Sequence, residues 1–137
     1  MSESEDHMKY VEIAYAFLKG LLPVTEHIHI RIDTPSSSFL PPSVIDGYRP
    51  DLYYNHNGLL IIGEAKTDPD FDKRHSIEQY NSYYSECKLH GENSVIVVSC
   101  SLIISPGFAN LMRYIKLLKG YKAKVIVVNQ LGKYKEF

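Results

Sequence analysis

Residues 50–66 read Pro-Asp-Leu-Tyr-Tyr-Asn-His-Asn-Gly-Leu-Leu-Ile-Ile-Gly-Glu-Ala-Lys, and this stretch decides the fold. Asn57-Gly58 is the dipeptide best suited to positive φ at both centres of a two-residue type I′ turn, so a β-hairpin pairing His56 with Leu59 is expected. Carried down the hairpin, that register sets Asp51 opposite Glu64, and facing side chains in an antiparallel pair stand about 4.5–5.5 Å apart at Cβ. Period-two alternation adds Lys66 to the Glu64 face and turns Leu59, Ile61 and Ala65 to the other.

Two carboxylates held that close repel unless positive charge lies between them. A hard divalent cation with oxygen ligands is the usual solution, and magnesium or manganese is the expected ion. An ammonium on the same edge could orient a nucleophilic water or stabilise charge building on a phosphate. The blander reading makes Pro-Asp a strand entry and Glu-x-Lys a solvated ion pair. Against it, Glu64 and Lys66 follow the apolar run Leu-Leu-Ile-Ile, where charges are costly unless paired or used.

With these residues in view the chain resembles the PD-(D/E)xK nuclease superfamily. Pro50-Asp51 matches its first element and Glu64-Ala65-Lys66 its second, 13 residues apart acid to acid, a separation the hairpin accounts for. Gln79-Tyr80-Asn81-Ser82-Tyr83 looks like the Gln-x-x-x-Tyr motif of the exonuclease-like branch. The resemblance implies an α/β domain with a central mixed sheet flanked by helices, a restriction-endonuclease-like αβββαβ core followed by an extra αβ unit. It implies a metal-dependent deoxyribonuclease in which Asp51, Glu64 and the Ala65 carbonyl bind the ion and Lys66 positions the nucleophile. Gln79 and Tyr83 would face the metal centre or the scissile strand, or else be half-buried residues holding the helix on the sheet. An acid on the first helix often supplements such a site; Glu12 is the candidate, with Glu5 in reserve.

The remaining chain fits one domain over residues 1–137. At 137 residues and 45% hydrophobic it can build one core and not two. Cys87 and Cys100 suit a reducing compartment, and no apolar run approaches membrane-spanning length, so a soluble cytoplasmic protein is expected. Residues 1–72 hold 12 acids against 5 Lys or Arg, and residues 73–137 hold 4 against 10. That division could put metal ligands in one half and phosphate contacts in the other, or be an ordinary surface with chance asymmetry.

A first helix is expected over residues 3–19, with a Ser2/Glu5 capping box, a buried stripe of Met8, Val11, Ala14, Tyr15, Leu18 and Leu21, and Gly20 as its stop. Residues 26–33 alternate as a strand with Ile28, Ile30 and Ile32 inward and His27 and His29 together on the other face; without further ligands at suitable spacing, zinc is not expected there. Residues 34–49 read as a long loop that brings Arg49 beside the site, with Asp46 starting an Asp-Gly turn or serving as a weaker second acid. A second helix should follow Asp72 and close at Gly91, with Ile77, Tyr80, Tyr84 and Cys87 inward and His75 on the Gln79–Tyr83 side, where it could contact phosphate. Residues 94–99 and 123–128 are expected as parallel buried strands joined by a helix from Ser105-Pro106 to Gly120. Phe108, Leu111, Met112, Ile115 and Leu118 pack that helix inward, and residues 130–137 form a frayed tail.

The partner expected is nucleic acid, DNA before RNA, gripped by a homodimer or larger complex. The rival reading is a catalytically inactive module of the same fold that binds nucleic acid or a protein. A small phosphate ligand finds no phosphate loop in the chain.

Overall fold

A computed structural model describes residues 5–35 and 39–137. The expected capping box at Ser2 and the serines at 36–38 lie outside the described residues. The chain forms a helix α1 (Glu5–Leu21), a 3-10 segment (Val24–His29), strands β1 (Arg31–Ile32), β2 (Leu52–His56) and β3 (Leu59–Ala65), then helix α2 (Arg74–His90). Strand β4 (Ser94–Cys100), helix α3 (Ser105–Lys119) and strands β5 (Lys124–Asn129) and β6 (Tyr134–Glu136) complete it. One mixed sheet of six strands runs in chain order, antiparallel at β1–β2, β2–β3 and β5–β6 and parallel at β3–β4 and β4–β5. This is a single α/β domain consistent with a restriction-endonuclease-like fold, the αβββαβ order followed by an added αβ unit.

The hairpin has the expected register. Leu52 faces Gly63, Tyr53 faces Ile62 and His56 faces Leu59. Asn57 and Gly58 take the required positive φ of 54° and 82°. Alternation then divides the sheet between two cores. Leu52, Tyr54, Ile61 and Ala65 pack under α1 with Val11, Ala14 and Leu18, while Tyr53, Leu60 and Ile62 pack under α2 and α3 with Tyr80, Tyr84, Phe108 and Met112. Both faces of β4 are covered, which is why residues 95–98, Val-Ile-Val-Val, are apolar without alternation.

The structure corrects several expectations. Residues 24–29 are not strand: Ile28 is 83% exposed, and the predicted alternation survives only at Ile30 and Ile32. Glu26 is held instead by Tyr54 and His56, and these tertiary bonds outweigh a local β pattern. Helix α1 passes through Gly20 to Leu21; Leu21 is exposed and Leu22 takes its place in the core. Leu118 is exposed at 66%, because the buried line of α3 is Phe108, Ala109, Met112 and Ile115. Ile77 is half-buried. The expected frayed tail is strand β6, with Glu136, Lys135 and Tyr134 paired to Ile126, Val127 and Val128; Phe137 also exchanges backbone hydrogen bonds of 2.8 and 2.9 Å with Val125.

Candidate active site

The hairpin delivers its charges to one place, the carboxyl end of β3. Asp51 stands just before β2 and Glu64 and Ala65 end β3, so the antiparallel register brings them level. Asp51, Glu64 and Lys66 are 6%, 5% and 8% exposed, a burial that charged residues reach only when they are paired. Asp51 Oδ2 accepts the Ala65 backbone N–H at 2.8 Å and lies 3.2 Å from His7 Nε2. Tyr83 OH donates to Glu64 Oε1 at 3.0 Å, and Lys66 Nζ donates to Gln79 Oε1 at 2.6 Å while sitting 3.6 Å from Glu64 Oε2.

Local sequence explains why these contacts close. Gln79 and Tyr83 are four apart on α2 and so share one helix face. That face lies over β3, where the side chains of Glu64 and Lys66, two apart on a strand, point the same way. One motif thus grips the other, residue for residue. Lys66 is further fixed through its backbone, whose N–H donates to the Ser99 carbonyl at 3.0 Å.

Burial is the first cause that pushes the Glu64 carboxyl well above the usual range, and the charge of Asp51 is the second. Lys66 and the Tyr83 hydroxyl pull it back only in part, and the two carboxyls are close enough to share a hydrogen bond. Buried phenols beside this cluster are driven the other way from ionisation: Tyr83 and Tyr80 both have raised pKa values, chiefly from burial and then from Glu64. They act as neutral donors. Around the cluster is a cavity of about 270 Å³ whose walls include His7, Asp33, Arg49, Thr67 and Asp70.

The sequence candidates divide as follows. Asp51, Glu64, Ala65, Lys66, Gln79 and Tyr83 are brought together, and Arg49 lines the cavity as expected. Glu12 is not part of it: its side chain is exposed and it is absent from the cavity wall, because the buried line of α1 is Val11, Ala14 and Leu18 and residue 12 is turned about 100° from it. Glu5 is exposed too. His7, which extends the line 11, 14, 18 by one turn, is the α1 residue that reaches Asp51; that spacing was the signal for it. Asp46 serves the turn, with φ 54° followed by Gly47 at 83°, and accepts the Ser82 hydroxyl at 2.9 Å. His75 is exposed, its ring edge-on to Tyr48.

The donor set suits a hard dication: two buried carboxyls near enough to share a proton offer oxygen ligands, and a cation between them would relieve the repulsion that raises Glu64. The fold and these side chains make this a single α/β domain, consistent with a restriction-endonuclease-like fold, that carries an Asp, Glu-x-Lys cluster at its hairpin. No protein-family profile matches the sequence and no curated protein does. Among solved structures, the crystal structure of an XisH family protein from Nostoc punctiforme is similar, with a TM-score of 0.46 and 16% identity, covering 90% of this chain and 92% of that one.

Proposed function

We propose that this domain is a metal-dependent nuclease that hydrolyses phosphodiester bonds, with DNA as the expected substrate. The observation that carries the reading is the convergence of Asp51, Glu64 and Lys66 in one buried cluster in which Gln79 and Tyr83 bond directly to the lysine and the glutamate. Asp51, Glu64 and the Ala65 carbonyl would hold magnesium or manganese, which when bound neutralises phosphate charge and acidifies water. Tyr83 fixes one oxygen of Glu64 and leaves the other toward Lys66. Gln79 holds the Lys66 ammonium in place, where it would orient the attacking water and stabilise charge on the phosphate. His7 and the Ala65 N–H set the angle of Asp51.

Incubation with linear, circular and branched DNA in magnesium tests this. Cleavage should fall by at least about 10²-fold in Lys66→Ala and vanish in Glu64→Ala; undiminished cleavage in both removes the mechanism.

A second reading has its own support. With Glu64 pushed toward its protonated form and Lys66 capped by Gln79, the cluster is also a closed set of buried hydrogen bonds, as an inactive module that binds nucleic acid or protein would keep. Such a module takes up DNA with unchanged affinity when magnesium is replaced by chelator, and it cuts nothing. A domain this small would grip a duplex as a homodimer or within a larger complex; sedimentation velocity with and without DNA reads that state.

A further inference from the structure

At the other end of β2, five residues and about 17 Å from the carboxylate cluster, three residues from two distant parts of the chain meet. Ligand atoms of Glu26, His29 and His56 all lie within 4.8 Å of one another. The 3-10 segment makes this possible: at three residues per turn, positions 26 and 29 eclipse, whereas a strand would have put His29 with His27. His27 turns away instead, its Nε2 within 2.8 and 3.0 Å of the Lys19 and Leu22 carbonyl oxygens. His56 is carried in by the hairpin turn. Its Nδ1 is 2.7 Å from Glu26 Oε1, and its ring stacks on His29 at 3.8 Å and 18°.

We propose that Glu26, His29 and His56 form a metal site for a transition-metal dication of the zinc class, separate from the carboxylate cluster. Two imidazoles and one carboxylate are the ligand set such ions prefer, as the oxygen-only cluster at Asp51 and Glu64 is the one magnesium prefers. Bonds of about 2.1 Å in a tetrahedron place ligand atoms about 3.4 Å apart. The His56–Glu26 contact, 2.7 Å as it stands, therefore opens by about 0.7 Å, the proton between them leaves, and the two rings tilt out of their stack to aim at one point. Support for the carboxylate is already in place. Tyr54 OH donates to Glu26 Oε1 at 2.7 Å and so orients the ligand. Three protein ligands leave a fourth position open toward the cavity walled by Arg31, Tyr53 and Asn55, where water or an anionic group would enter.

Calorimetric titration of the chelator-treated full chain with Zn²⁺, in excess Mg²⁺ to occupy the oxygen cluster, is the test. One equivalent should bind to the wild type and to Asp51→Asn. Affinity should be lost beyond measurement in His29→Phe, which keeps a ring against His56, and in Glu26→Gln, which keeps an acceptor for Tyr54. Tyr54→Phe should weaken it about tenfold, and bound Co²⁺ should show tetrahedral ligand-field bands. If His29→Phe fails to fold by circular dichroism, Glu26→Gln decides alone. Absence of Zn²⁺ uptake in excess Mg²⁺, uptake indifferent to Glu26→Gln, or uptake abolished by Asp51→Asn each overturns the proposal. DNA cleavage is not among these readouts, so the nuclease assignment stands or falls separately.

Discussion

Glu64 concentrates the physical tension of the site. Its folded-state pKa lies well above the ordinary value of 4.5, first through burial and then through Asp51. A carboxyl raised in the folded state binds its proton more tightly there than in the unfolded chain. The stability it contributes is present at pH below 4.5 and is lost as pH rises from there through the raised folded value. Metal-free wild type should therefore lose melting temperature relative to Glu64→Gln as pH is raised across that window, and magnesium should restore it by displacing the proton. Parallel melting curves with pH would refute this. Gln79→Ala and Tyr83→Phe remove groups that hold Lys66 and Glu64 without themselves meeting the ion. Each should cost about 10- to 100-fold in cleavage, read as a change in kcat and in the magnesium dependence while the fold, by circular dichroism, is kept.

Among the elements, β3 is built to a tight tolerance. A Cβ on Gly63 would lie 3.0 Å from Leu52 Cβ, and Leu52 is fully buried, so neither strand can yield without moving the backbone that carries Glu64. Gly63→Ala should destabilise by about 1–3 kcal/mol in urea unfolding and reduce cleavage out of proportion to that loss. At the far edge, β6 covers the unpaired side of β5, and the Arg113 guanidinium sits 4.6 Å from the Phe137 ring centroid. Removing residues 133–137 leaves β5 as an open, apolar edge. Light scattering should then show aggregation that grows with protein concentration; a truncated chain as soluble as the full one would show that β6 does not have this role.

Across the molecule, the charge division seen in sequence is arranged differently in space. The parallel registers put Lys124 level with Val95 and Ile61, and Ala65 level with Ser99 and Val128. The lysines at the start of β5 and the ends of α2 and α3, Lys88, Lys116, Lys119 and Lys124, therefore sit at the opposite end of the sheet from Asp51 and Glu64. Among the residues that line the cavity at the cluster, the Lys and Arg side chains are Lys66 and Arg49. If DNA is held at the cluster, Arg49→Ala should weaken binding and lower the slope of log affinity against log salt by about one, while Lys116→Ala should change neither. Among the described residues no helix is long and apolar enough to cross a membrane. Cys87 and Cys100 are free and buried, each thiol pushed up to about 12 by burial, so neither is a thiolate at neutral pH.

The sequence by itself determined the hairpin, its register and the shared face of Asp51, Glu64 and Lys66, because a two-residue turn and a period of two leave no freedom in which side chains meet. It determined the helical spacing of Gln79 and Tyr83 for the same kind of reason. Only the tertiary structure decided that Glu12 stays outside and His7 goes in, since the choice depends on how α1 is rotated against β2 and β3. Residues 24–29 became a 3-10 turn, and the last residues a strand, because partners far along the chain bind them: Tyr54 and His56 in one case, the free edge of β5 in the other. Short-range patterns report what a segment favours alone; contacts across the sheet set what it does.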